Sequence, residues 1–288
     1  MTLRTTLLAA TLALAFCGAQ ADEPLQLRVY NAGAGSFHVN SALVSGAREA
    51  VVIDAGFTRA DALRIAANVL DSGRQLTTIL VSNADPDYYF GVEQLKALFP
   101  QVRVVATPAV REKIRSKMAA KVAFWGPKMG VNAPAQPVLP DALQGASLTV
   151  DGQAIEVRGT SGPLAHRPYV WVPSLQAIVG NVAVFGNMHA WTADTQTPAL
   201  RRAWMDQLDE MQALKPRIVV PGHMQASTPL DGSAIDFTRG YLVKFEAALQ
   251  ESEDSAGVIQ AMRAAYPQLS ESMTLDLGAK VNKGEMAW

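Results

Sequence analysis

The chain has 288 residues, with 25 basic and 26 acidic side chains, four histidines and one cysteine. A near-balanced charge with no basic cluster excludes a nucleic-acid partner, which needs a concentrated excess of Lys and Arg. One cysteine excludes a disulfide framework and a thiolate metal cluster.

Met1 to Ala21 reads as a secretory leader: Arg4 supplies the positive start, Leu7 to Phe16 is apolar, and Ala19-Gln20-Ala21 is an A-x-A cleavage site. The expectation is export to the periplasm or medium with cleavage after Ala21, and membrane contact only through the leader. The alternative is a lipoprotein anchored at Cys17, against which Phe16 stands where a small residue is expected. Residues 22–288 then form a single domain with a helical C-terminal segment. The mature chain loses its one cysteine, so its core alone must stabilise it in an oxidising compartment.

The first strands are expected at Leu25–Asn31, Phe37–Ser45 and Ala50–Asp54. The last is a continuous apolar run (AVVID) suited to burial on both faces. Thr58 is placed to cap a helix over Arg59–Ser72. A strand at Thr77–Ser82, a loop over Asn83–Tyr89, a helix over Gly91–Leu98 and a strand at Val102–Ala106 follow. A helix from Arg111 is expected to give way to loop at Gly126-Pro127, with Pro134, Pro137 and Pro140 holding the chain irregular. It would lie as a lid over a cleft; its basic face ending in Trp125 leaves a membrane-surface role as the alternative.

Strands at Ser147–Val150, Gln153–Arg158, Tyr169–Val172 and Ala177–Gly180 come next, then a helix over Ala199–Leu214 and a strand at Ile218–Val220. From about Ala234 the pattern is mostly helical. This order suits two halves, each a sheet with helices outside. Gly33-Ala34-Gly35 lacks the strand–helix setting of a dinucleotide loop, and no G-x-S-x-G elbow occurs.

Four segments carry a family resemblance: Val39–Phe57 (VNSALVSGAREAVVIDAGF), Ile79–Gly91 (ILVSNADPDYYFG), Tyr169–Asn181 (YVWVPSLQAIVGN) and Arg217–Met224 (RIVVPGHM). In order and spacing they resemble metallo-β-lactamase superfamily hydrolases. The stretch Ala279–Trp288 is similar to the end of a proteobacterial branch. The resemblance covers nearly the whole mature chain and implies an α/β fold, a four-layer αββα sandwich.

It also implies a dinuclear zinc site that activates water. The family's H-x-H-x-D-H falls on Asn83, Asp85, Asp87 and Tyr88; the next His falls near Ser161, with His166 five residues on. The bridging Asp falls on Asn181 and the last His on His223. Only Asp87 and His223 match directly. Asn is a weak neutral ligand, and Tyr must lose a proton with a pKa near 10 to bind zinc well.

The resemblance therefore implies a member with most dinuclear zinc ligands replaced, binding a small molecule or a protein partner. The alternative is a mononuclear-metal hydrolase of an ester, thioester or lactone-like bond, with Asp85, Asp87 and His223 holding Zn²⁺, Fe²⁺ or Mn²⁺. The cofactor is thus one divalent metal ion or none. In a metal-free enzyme, Asp87 and His223 would be the catalytic acid–base pair.

Each site residue also has a structural reading. Asp85 and Asp87 could cap the following helix, Asn83 could order its loop, and Tyr88 could fill space left by a metal. His223 could be a hydrogen-bonded relic. Asn83, Tyr88, Ser161, His166, Asn181 and His189 are expected around the pocket; beside His189, Trp191 suggests packing. Asp54 is expected to order the site loop from behind.

Overall fold

The computed structural model describes residues 23–269 and 273–288. The leader read in residues 1–21 lies outside the described residues. The first half runs β1 (Gln26–Asn31), β2 (Asn40–Ser45), β3 (Glu49–Ile53), α1 (Arg59–Ser72), β4 (Gln75–Val81), α2 (Pro86–Tyr89), α3 (Val92–Leu98), β5 (Arg103–Ala106), α4 (Pro108–Met129) and β6 (Asp141–Ala142). The second runs β7 (Ser147–Val150), β8 (Gln153–Arg158), β9 (Tyr169–Val172), β10 (Ala177–Val179), β11 (Phe185–Gly186), α5 (Pro198–Ala213), β12 (Ile218–Val219), β13 (His223–Met224), α6 (Ser233–Glu251), α7 (Ser255–Ala265) and α8 (Met273–Asn282).

The strands make a six-stranded sheet in the order β1-β2-β3-β4-β5-β6 and a five-stranded sheet in the order β12-β10-β9-β8-β7. The first is antiparallel from β1 to β3 and parallel from β3 onwards. Strand alternation explains the layers. In β3, Val51 and Ile53 face the second sheet, while Ala50 and Val52 pack under α1 and α3. In β9, Val170 and Val172 face the first sheet, while Tyr169 and Trp171 pack among the C-terminal helices. One core thus lies between the sheets and one outside each, which is the expected αββα sandwich.

Local signals mostly behave as their chemistry dictates. Thr58 caps α1 in a reciprocal box with Asp61. Two expectations need correction. The segment Asn83–Tyr89 is not all loop, because Pro86 starts the short helix α2. The helix after β5 starts earlier, at a Thr107 cap, and continues through Gly126-Pro127 to Met129. Pro127 removes one donor in the last turn, on a largely exposed helix where water can satisfy the freed carbonyl. Trp125 in this turn packs on Phe37 and Phe57, at centroid separations of 5.5 and 5.3 Å. That contact fixes α4 against the first sheet's loops.

Candidate functional site

The site lies where the loops after β3, β4 and β10 meet the β12–β13 connection. Its foundation is Asp54, just past β3. Its two carboxylate oxygens accept from the Ser82 amide and hydroxyl, both at 2.7 Å. Asp54 has a left-handed backbone, φ 65°, a conformation Asp tolerates better than most side chains. Burial pushes its carboxyl up to about 8, against the lowering effect of the two Ser82 bonds. Through these bonds Asp54 ties the end of β3 to the end of β4.

Asp87 and His223 meet over this base. His223 pairs with Phe185 across the β11–β13 ribbon, and its ring stacks on Phe185 at 5.4 Å. Nδ1 lies 2.8 Å from the Phe37 carbonyl oxygen. A carbonyl only accepts, so Nδ1 carries the proton and Nε2 presents a lone pair. Phe37 and His38 both hold positive φ, 56° and 55°, which is uncommon for two adjacent non-glycine residues; this turn aims the Phe37 carbonyl at His223. Nε2 faces Asp87 Oδ2 at 3.5 Å, just beyond ordinary hydrogen-bond length.

Burial pushes the Asp87 carboxyl up to about 7 and the His223 imidazole down to about 4. Near neutral pH the imidazole is therefore uncharged, with its one proton on Nδ1, and a proton between Nε2 and Asp87 resides on Asp87.

Tyr88 and Asn181 close the floor beside them. The Tyr88 side chain is fully buried and its hydroxyl donates to the Asn181 carbonyl at 3.0 Å. The Asn181 side chain donates to the Val220 carbonyl at 3.0 Å and accepts from the Val184 amide at 2.9 Å. Gly222 leaves room for this convergence: a Cβ there would collide with the Asn181 carbonyl oxygen and the Tyr88 hydroxyl. Asn83 accepts from the Asp85 amide at 2.9 Å, a local turn bond of the kind Asn favours.

The remaining residues divide. Asp85 makes no side-chain cap bond to α2; its Oδ1 faces Lys121 Nζ of α4 at 3.6 Å. Crowding by the protein, Asp194 and Asp87 push its carboxyl up to about 6. His166 is half-buried, and burial with Lys113 and Arg167 lowers its pKa. Ser161 is exposed on its loop. His189 is buried against Tyr241 of α6, with Nδ1 3.1 Å from the hydroxyl; this packs it among the C-terminal helices.

Among the described residues, no three His, Cys, Asp or Glu side chains are grouped so that they could hold a metal ion. The structure brings Asp87 and His223 together and turns Asp85 toward Lys121.

Sequence reasoning missed Arg167, Asp194 and Lys121. Arg167 is buried and feels Asp194 and Asp85 electrostatically. Asp194 accepts from the indoles of Trp191 at 2.7 Å and Trp288 at 2.9 Å. Lys121 Nζ lies over the Trp288 ring, 5.4 Å from its centroid. The one available signal was a cationic residue before Pro168 at the mouth of a buried strand.

The chain is thus a two-sheet sandwich with its candidate site on the strand-end loops. The metallo-beta-lactamase superfamily model matches residues 34–223, and the chain belongs to that superfamily. A metallo-beta-lactamase family protein from Thermus thermophilus is similar, with 16% identity, a TM-score of 0.61, and coverage of 90% of this chain and 91% of that one. A beta-lactamase domain protein from Burkholderia ambifaria has 15% identity, a TM-score of 0.60, and coverage of 90% and 84%. A metallo-beta-lactamase from Pontibacter korlensis has 17% identity, a TM-score of 0.52, and coverage of 78% and 97%. At these identities the likeness concerns the fold. No curated protein matches the chain.

Proposed function

We propose that this chain is an exported, catalytically degenerate superfamily member that binds a small molecule at the Asp87–His223 site without dinuclear zinc hydrolysis. The observation that carries the reading is the state of Asn181. At the position where the resemblance requires a carboxylate between two cations, a neutral amide has both polar atoms committed to the backbone. Tyr88 supports it: its buried phenol is raised well above its ordinary pKa, chiefly by burial, and a neutral phenol is a poor zinc ligand. The residues present do not fit a dinuclear centre.

What remains suits binding. A neutral imidazole lone pair and a carboxyl that titrates near neutrality offer one acceptor and one switchable donor to a ligand. Charged Asp85, Lys121, Arg167 and Asp194 lie nearby, and the indoles of Trp191 and Trp288 hold Asp194. Export rests on the leader in residues 1–21. Mature protein whose first residue is Asp22 supports it, and an unprocessed or Cys17-lipidated product counts against it.

The second reading is the mononuclear hydrolase of an ester, thioester or lactone-like bond. The His223 Nε2 lone pair beside Asp87 favours it, since these are two adjacent donors for Zn²⁺, Fe²⁺ or Mn²⁺. Elemental analysis separates the two, using protein purified without added metal or a histidine tag. Binding predicts no stoichiometric metal, even after incubation with excess Zn²⁺. About one equivalent, lost in Asp87→Ala, would overturn it in favour of the hydrolase.

A further inference from the structure

We propose that Arg167, bonded to the backbone next to Asn181, anchors the carboxylate of a small organic monoanion at the edge of the candidate site. This deepens the binding reading and rests on it.

The Arg167 backbone is fixed on both sides. Its amide donates to the Leu164 carbonyl at 2.7 Å, and its carbonyl accepts from Gln207 at 2.9 Å. The guanidinium lies over the buried Trp204 ring, 4.8 Å from the centroid, and Trp204 is itself held by the Ala183 carbonyl at 2.8 Å. One terminal nitrogen, Nη2, donates to the Val182 carbonyl at 3.3 Å. The other, Nη1, is buried with no hydrogen-bond partner.

A buried cationic donor without a partner is costly. The nearby acids do not relieve it. Asp194 spends one oxygen on each of two indoles, and Asp85 faces Lys121. Both pull on Arg167 electrostatically, yet neither forms an ion pair with it among the described residues. What the guanidinium lacks is an external oxygen acceptor, and its planar fork suits a carboxylate.

The charge of the ligand follows from the neighbours. Asp85, Asp87 and Asp194 interact with one another, so a dianionic phosphate would meet repulsion that a monoanion meets less. We assign its body to the apolar faces of Trp191 and Trp288, which hold the nearby Asp194 and lie 4.9 Å apart between centroids.

The test uses the full chain and three probes: benzoate, acetate and inorganic phosphate. Benzoate should raise the thermal midpoint saturably, acetate should do so more weakly, and phosphate should have no saturable effect. Arg167→Gln should weaken benzoate binding by at least about tenfold, equivalent to ~1.4 kcal/mol, and Arg167→Lys should lose less. In case Arg167→Gln does not fold, the Arg167 Nε–H resonance of the wild type is followed during the titration and should move with occupancy.

An unmoved resonance, a midpoint insensitive to benzoate, undiminished binding in folded Arg167→Gln, or tighter phosphate than benzoate would each overturn the assignment. Failure of the underlying reading looks different: stoichiometric metal in a protein that still binds benzoate through Arg167. Metal-free protein with no benzoate response sinks this inference alone.

Discussion

The Tyr88 hydroxyl reaches 3.0 Å to the Asn181 carbonyl, and this one hydrogen bond joins the helix after β4 in the first sheet to the loop after β10 in the second. Both partners are fully buried. Tyr88→Phe removes the donor and leaves the Asn181 carbonyl unsatisfied. The expected cost is about 1–3 kcal/mol, read as a lower midpoint in urea with an unchanged slope. A variant as stable as the wild type would show that water or a relaxed loop replaces the bond.

Asn181→Asp tests the neighbouring contact from the electrostatic side. A carboxylate can still accept from the Val184 amide, but it meets the Val220 carbonyl where the amide donated. Its buried charge is unfavourable, so its pKa rises in the folded state. The variant should lose stability relative to wild type as pH rises from about 4 to about 8 and come closer to it in acid, where a protonated Asp can donate. Equal stability of the two proteins at the alkaline end would refute this account of the site floor.

Asp54 carries a pH dependence of its own. Its folded carboxyl, near 8, lies above its ordinary value of 3.8. Between those values the folded state holds a proton that the unfolded state releases, so stability declines as pH rises through the window. His223, lowered to about 4 from 6.5, acts oppositely between those two values. Above 6.5 the carboxyl effect stands clear of it. The melting temperature should fall from about pH 6.5 to about pH 8.5, with Asp87, raised to about 7, adding to the fall; Asp54→Asn, which keeps the shape and tolerates the positive φ, should flatten it in part. Parallel profiles for the two proteins would assign the decline elsewhere.

The bond from His223 Nδ1 to the Phe37 carbonyl dictates a tautomer. Nitrogen NMR should find Nδ1 protonated and Nε2 bare at neutral pH, with the imidazole gaining its charge only near pH 4. Protonation near the ordinary 6.5, or a proton on Nε2, would remove the basis for treating Asp87 as the proton-bearing partner.

Much of this fold is in plain view in the sequence. Alternation in β3 and β9, the Thr58–Asp61 cap and the AVVID run each have a local cause that folding preserves. Asp87 and His223 are legible because their segments resemble a known pattern. Arg167, Asp194 and Lys121 are not. They come from the approach to β9, the loop before α5 and the middle of α4; Arg167 and Asp194 sit in irregular segments with no periodicity around them, and Lys121 is one of several basic residues on its helix, with nothing to single it out. Only the packing of α4 over the first sheet and the fixed backbone at Arg167 bring them together. Helix α4 outruns its sequence signal because Pro127 is a strong stop in a helix interior, whereas here it sits in an exposed final turn.

Two of the chain's five tryptophans, Trp191 and Trp288, share the carboxylate of Asp194, and Trp288 also lies beneath Lys121. Their excited states therefore sense a local field set by one acid and one cation. A ligand that disturbs that acid or that cation should change the colour and yield of the protein's own ultraviolet emission, which would report its binding without any added label.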